Sequence, residues 1–210
     1  MIGREANSDV QEAHHRVRNS LQLVASMLAN HARWSADRCV ASELTDASRR
    51  IIAVARLHEL LQQGSDESVD VADYLARVCG DLAASIGDGT DDPHVSLHTV
   101  NAELPASEAV ALGLIVNELV TNALKYAYPN GAGVIDVNFE RSPSGYKLSV
   151  ADHGVGRRVP AEGQFDGNGS RFVRQFASAL RGSITTLDNA PGILVSLTFG
   201  ESRAPIPLHG

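Results

Sequence analysis

A chain of 210 residues is long enough for a sizeable core and allows one or two domains, and its 43% apolar content is that of a soluble globular protein with few aromatics. A net charge of −7 argues against a surface built to coat nucleic acid. No apolar run approaches the ~20 residues of a membrane span, and the polar opening MIGREANSDV lacks the apolar core of an export signal. No nucleic acid and no membrane segment are therefore expected, and the cytoplasm is the expected compartment.

Residues 4–33 read as one long helix. Val10, His14, Val17, Leu21, Val24 and Leu28 alternate in four- and three-residue steps, the seam of a bundle helix. No Gly or Pro interrupts between Glu5 and Gly64, and a polar break at 33–38 suits the turn of a hairpin. A second helix is expected over 37–63, with Leu44, Ala47, Ile51, Val54, His58 and Leu61 as its stripe and Gly64 as its stop. Two striped helices cannot bury both stripes alone. A homodimer pairing two hairpins into a four-helix bundle is the economical solution, and packing on the rest of the same chain is the alternative. Cys39 and Cys79 form no CxxC and read as reduced core thiols.

Beyond the polar linker GSDES the pattern changes. A short strand at 68–71 leads to a helix at 72–86, whose inner side carries Tyr74, Leu75, Val78, Leu82 and Ile86. A loop at 87–93 and an alternating strand at 95–100 follow, then a helix over 106–128 closed by Pro129, Asn130 and Gly131. Strands at 134–140 and 146–151, a glycine-rich loop, a helix at 170–180 and strands at 183–187 and 194–199 around a 189–192 turn complete the chain before a frayed tail. The second half is thus expected to be an α+β sandwich, with helices over one face of a mixed, largely antiparallel sheet. The expected domains are 1–64, a helical hairpin, and 65–200, the sandwich, with a tail at 201–210.

Three stretches carry candidate chemistry. In the helix over 106–128, Glu118, Asn122 and Lys125 fall at i, i+4 and i+7, on one face. The plain reading is a solvated face; the other is a site, because such groups are costly to bury without a purpose. In the first helix, His14 takes an inward seam position. His15 lies about 100° round the helix and is the reachable ring. An imidazole nitrogen is a competent nucleophile near neutral pH. Glu12 and Asn19, at −3 and +4 from His15, share its face: Glu12 to orient the ring or take its proton, Asn19 to position a water. Third, Asp152-His153-Gly154-Val155-Gly156 follows a strand, and Gly167-Asn168-Gly169-Ser170 opens a helix. A carboxylate at a strand end accepts from an exocyclic amine, glycines admit backbone close to a planar ring, and amides at a helix start favour phosphate. The polar interval 157–166 suits a flap.

The order of these stretches resembles the bacterial sensor histidine kinases of the group with an HHRVKN-type phosphoacceptor motif, the HisKA_2 group close to the HWE kinases. His14-His15-Arg16-Val17-Arg18-Asn19-Ser20-Leu21-Gln22 is similar to the H-box, residues 117–128 to the N-box, residues 152–156 to the G1 box and residues 167–170 to the G2 box. The resemblance spans about residues 8–200. It implies a dimerisation and phosphotransfer hairpin followed by a Bergerat-type (GHKL) ATP-binding domain, with ATP and Mg²⁺ as cofactors and the receiver domain of a response regulator as partner. It makes His15 the acceptor, Asn122 the Mg²⁺ ligand with Glu118 beside it, and Lys125 and Tyr126 phosphate-reaching or flanking residues. Asp152 becomes the adenine-recognising carboxylate, Gly154 and Gly156 shape its pocket and the lid hinge, and Gly167, Gly169 and Ser170 form the second glycine box.

Three features depart from the family pattern. Asn168 and Ser170 stand where the second glycine box usually has leucines, and Arg16 follows the acceptor where the largest kinase group has an acid. No sensor segment precedes the hairpin, so either a longer sensor kinase or a stand-alone protein governed by a separate sensor protein is expected. The leading expectation is an autophosphorylating kinase. The alternatives are a histidine phosphotransferase whose ATP domain is a scaffold, and a non-catalytic binder of the anti-sigma type.

Overall fold

The computed structural model describes residues 2–63, 68–84, 93–129, 131–156 and 168–200; side chains before 16, and those of 18, 56–63 and 168, lie outside the description. By its internal contacts the chain divides into two units, Met1–Val69 and Asp70–Gly210.

The first unit is a hairpin of α1 (Ile2–Trp34) and α2 (Arg38–Gln63). The expected start of the second helix at Asp37 moves by one residue because Asp37 caps it: its Oδ1 accepts from Cys39 N at 2.8 Å and from Val40 N at 3.4 Å. His31 and Arg33 place basic groups in the last turn of α1, where the helix dipole favours them. As expected of a lone hairpin, the seam is not fully buried. Val17 and Val24 remain 46% and 44% exposed, and Leu21 and Leu28 are half-buried. The buried line instead runs through Ala25 and Ala32 of α1 and Ser48 and Ala55 of α2, and the Ser48 hydroxyl donates to Ala25 O at 2.8 Å. Small side chains fill the most buried positions, and the larger apolar residues Leu21, Leu28, Leu44, Ile51 and Val54 are half-buried. Cys39 is exposed at the start of α2, against the expectation of a core thiol, while Cys79 is buried. Gly64 and the linker 64–67 lie outside the described residues, as do the side chains of His14, His15 and His58.

The remaining elements are β1 (Ser68–Asp70), α3 (Val71–Ala84), β2 (His94–Thr99), β3 (Glu103–Pro105), α4 (Ala106–Tyr126), β4 (Val134–Ser142), β5 (Gly145–Asp152), α5 (Asn168–Ala179), β6 (Ser183–Asp188) and β7 (Ile193–Phe199). Asp70 starts α3 as Asp37 starts α2, accepting from Ala72 N and Asp73 N at 2.8 and 3.1 Å. Strand β3, paired with β1 in a two-stranded sheet, goes unread in the sequence because three residues are too few to display a period. The main sheet runs β2-β4-β5-β7-β6; β2 pairs parallel with β4 and every other neighbour is antiparallel. The parallel pair needs a long crossover, which α4 supplies.

Alternation sorts the sheet. Ile135, Val137 and Phe139 of β4 are fully buried while Asp136 and Asn138 between them are not, and Leu148, Leu197 and Phe199 join them in the core. Helix α4 adds Leu112, Ile115, Val116 and Val120, all fully buried. Its 21 residues are by length and composition apolar enough to cross a membrane, which corrects the reading that no such run exists; here α4 packs against α3, α5 and strands of the sheet. A helix covered on several sides reads as apolar nearly all round.

At Gly113, α4 lies directly against a side chain of α3: a Cβ there would overlap the Tyr74 ring and hydroxyl. That hydroxyl is buried with no hydrogen-bond partner among the described residues, and burial pushes the Tyr74 phenol well above its ordinary pKa. An unpaired buried hydroxyl costs free energy. Tyr74→Phe is therefore expected to leave stability unchanged or raise it by up to about 1 kcal/mol, whereas Gly113→Ala should lower it by about 1–3 kcal/mol through overpacking; urea unfolding of the two variants checks the pair. Burial also pushes the Cys79 thiol up to about 11 from 9.0. The neutral thiol is the form the fold holds, so this contribution to stability is complete below the unfolded value near pH 9 and is lost as the pH rises towards about 11. Titration with a thiol reagent at pH 8 should find one fast group, Cys39, and a second only on unfolding.

Candidate functional site

Among the described residues the fold buries two ionisable carboxylates, Glu118 and Asp152, each 7% exposed. They belong to two of the stretches singled out in the sequence. Glu118 sits in the second half of α4, and Asn122 Nδ2, one turn later, approaches its Oε1 at 3.5 Å. Lys125, a further turn towards the C-terminus, is half-buried. The i, i+4, i+7 row is therefore not a solvated face. Tyr126 is 64% exposed.

Asp152 is the last residue of β5. On one side it pairs with Ile135 of β4. Its Oδ1 accepts from Gly154 N at 3.1 Å, a turn that bends the chain as the strand ends. The glycine is required by close approach: a Cβ on Gly154 would overlap the carbonyl of Ala127, the C-cap of α4. The next amide, Val155 N, donates to that same Ala127 carbonyl at 2.9 Å. One residue further along α4's exit, the Tyr128 hydroxyl accepts from His153 N at 2.9 Å and donates to Val134 O. Burial raises the Tyr128 phenol pKa; the His153 hydrogen bond opposes this, the Asp152 charge adds to it, and the Val134 bond opposes and the Asp136 charge adds in turn. The end of α4 and the turn after β5 are thus stitched together by two hydrogen bonds, which joins stretches that lie about twenty-five residues apart in the chain. Gly156 takes the left-handed conformation at φ 65°.

Sequence reasoning missed Tyr128, His153, Asp136 and Asn189 as members of this neighbourhood. His153 Nε2 lies 2.9 Å from Asp136 Oδ2, and Asn189 Nδ2 donates to Asp152 O at 2.9 Å. Tyr128 read as a helix end and Asn189 as a turn residue, and no spacing rule links either to Asp152. Gly169 and Ser170 lie in the first turn of α5, which begins at Asn168, two residues earlier than expected. Gly167 and the flap 157–166 fall outside the described residues. Asn19 is exposed on α1, and the side chains of Glu12 and His15 are outside the description. No group of three or more His, Cys, Asp or Glu side chains that could cage a metal occurs among the described residues.

Comparison with known proteins decides the family. Residues 12–86 match the family model described as histidine kinase, and residues 95–185 match that described as histidine kinase-like ATPase domain. The chain belongs to the histidine kinases. It is 28% identical over 208 residues to blue-light-activated histidine kinase 2 of Erythrobacter litoralis, covering 95% of this chain and 59% of that protein. It is 31% identical over 198 residues to the sensor histidine kinase PdtaS of Mycobacterium tuberculosis, covering 90% of this chain and 38% of that protein. This histidine-kinase chain therefore spans 38–59% of the length of these relatives. In fold it resembles the solved blue-light activated histidine kinase of Erythrobacter litoralis, with a TM-score of 0.64 at 22% identity over 92% of this chain and 60% of that one. The separate histidine kinase domain of that protein gives 0.63 at 21% identity over 88% and 96%. The sandwich is accordingly a GHKL-type domain.

The stitch between α4 and the β5 turn yields a prediction. Gly154→Ala must displace either Ala127 or the turn, and should destabilise this kinase chain by about 1–3 kcal/mol while leaving the α1–α2 hairpin helical. Thermal unfolding followed by far-ultraviolet circular dichroism checks it, with Gly80→Ala, where a Cβ meets nothing within 4 Å, as the neutral control.

Proposed function

We propose that this chain is the catalytic part of an ATP-dependent histidine autokinase, which phosphorylates His15 and passes the phosphoryl group to an aspartate of a response-regulator receiver domain. The observation that carries the reading is the pair of buried carboxylates. A sandwich with a largely apolar core holds Glu118 and Asp152 out of water, and these are the acids of the two motifs that resemble the N-box and the G1 box. Burial of both is costly unless hydrogen bonds, opposite charge or a ligand offset it, and a bound nucleotide would add to the hydrogen bonds they already make.

In this reading the Asp152 carboxylate accepts from the exocyclic amine of adenine, and Gly154 and Gly156 let backbone lie beside the ring. Lys125 and Tyr126 serve the phosphate side, and the amides of Gly169 and Ser170 at the start of α5, together with Gly167 of the same glycine box, favour phosphate oxygens. Asn122 holds Mg²⁺. Its Nδ2 is turned towards Glu118, which leaves its amide oxygen for a cation. Absence of a cage of three acidic or imidazole ligands among the described residues suits magnesium, which keeps waters and phosphate oxygens as most of its ligands. The ion would neutralise phosphate charge. At His15 a ring nitrogen lone pair forms the bond to the γ-phosphorus as the bond to the bridging oxygen of ADP breaks, and the ring loses a proton from its other nitrogen. Glu12 orients the ring or takes that proton, and Asn19, exposed on α1, positions a water during dephosphorylation.

A homodimer, a cytoplasmic location and control by a separate sensor protein belong to the same proposal. Val17, Val24, Leu23 and Met27, each 44–58% exposed on α1, support the homodimer, since a lone hairpin leaves them in water. No observation favours the phosphotransferase alternative.

Incubation with γ-labelled ATP and Mg²⁺ tests the proposal. Acid-labile label is expected on the unaltered chain and on His14→Ala, but not on His15→Ala, and Asn122→Ala should reduce labelling at least about a hundredfold. Absence of both labelling and ATP binding, with label arriving from a phosphorylated receiver domain instead, would overturn the kinase in favour of a relay.

A further inference from the structure

We propose that Asn189, in the turn between β6 and β7, is a positioning residue for Asp152 and thereby a determinant of nucleobase specificity. This rests on the reading of Asp152 as the adenine-recognising carboxylate.

The strand end that carries Asp152 is supported unequally. On the β4 side the ladder reaches it, through the Ile135–Asp152 pair. On the β7 side the ladder stops one residue short, at Ala151–Leu194. There the Asp152 carbonyl takes its hydrogen bond from a side chain, Asn189 Nδ2, at 2.9 Å. The same nitrogen lies 3.4 Å from His153 Nδ1, and His153 Nε2 lies 2.9 Å from Asp136 Oδ2. One ring tautomer, with the proton on Nε2, meets both contacts: Nε2–H donates to Asp136 and Nδ1 accepts from Asn189. The two amide hydrogens of Asn189 then have two acceptors on consecutive residues, which fixes which way its amide faces. A side-chain amide thus completes the sheet at the residue where the ladder fails.

The turn itself is built to hold Asn189 still. Asn189 N donates to Gly192 O at 3.1 Å, and Ala190 N donates to Asp188 Oδ1 at 2.9 Å. Gly192 adopts φ 113°, and a Cβ on it would overlap the Asp152 carbonyl and come within 3.0 Å of Asp152 Oδ1. The turn therefore lies against Asp152 at both its carbonyl and its carboxylate. The Asp152 side chain gets its direction from the backbone beneath it and from Gly154 N. Releasing the carbonyl frees the strand end to rotate and moves the carboxylate away from the amine it must meet, without touching the phosphate side of the site.

The test compares binding of ATP with binding of the triphosphate of purine riboside, which lacks the exocyclic amine, by calorimetry on the full chain. Asn189→Ala, and the isosteric Asn189→Asp, which cannot donate, should each weaken ATP about tenfold, one hydrogen bond's worth of affinity. Binding of the amine-free analogue should not change. In an Asp152→Ala background, Asn189→Ala should add no further loss, because the group it positions is gone. Equal weakening of both nucleotides, or additive losses in the double variant, would mean a merely structural turn and would overturn the proposal. So would full ATP affinity in both Asn189 variants when Asp152→Ala alone has lost it. If Asp152→Ala leaves the preference for ATP intact, the adenine reading itself fails, and that outcome is distinct from the others.

Discussion

The second unit depends on one contact: the carbonyl of Ala127 at the exit of α4, against which Gly154 packs and to which Val155 N donates. A side chain at 154 would occupy the same space as that carbonyl. Without the contact, the helix that carries Glu118, Asn122 and Lys125 and the strand that carries Asp152 would still form, since each has its own periodicity and its own core residues. Their ends would lose the closest of the contacts that hold them side by side. The Tyr128 hydroxyl, bridging His153 N and Val134 O, reinforces the junction from the next residue along. The chain leaves α4 through a segment that belongs as much to the sheet as to the helix.

The buried carboxylates acquire meaning from this junction. Burying an ionised acid is unfavourable unless hydrogen bonds or a ligand offset its desolvation. Asp152 receives Gly154 N on its carboxylate and Asn189 on its carbonyl, and Glu118 receives the Asn122 amide. These hydrogen bonds are local or come from turns. In the proposed function the two carboxylates serve an adenine amine and a metal-bound phosphate group, and a ligand of that kind would offset part of their desolvation.

The hairpin follows another rule. Among its described residues the buried ones are Ala25, Ala32, Ser48 and Ala55, all small, while the valines and leucines that make the sequence stripe conspicuous stay half-buried or exposed. A repeat of large apolar residues announces that a face is to be covered but not by what. Within one hairpin the small side chains take the most buried positions, and the larger ones keep part of their area for another surface.

Much of the architecture was legible in the sequence. Helical and strand periods marked every element but β3, and the spacing of Glu118, Asn122 and Lys125 put them on one face because a helix turns by a set angle per residue. The ends of α2 and α3 depended on Asp37 and Asp70, whose capping role follows from residue type and local position alone. The order of the motifs identified the family. What only the tertiary structure decided was how distant residues share a space. The overlap of Gly154 with Ala127, the bond of Asn189 to Asp152 and the burial of alanines and a serine in the hairpin are set by three-dimensional approach, for which the sequence carries no period. Residue type and spacing determine which groups lie on a common face; packing alone determines which faces meet.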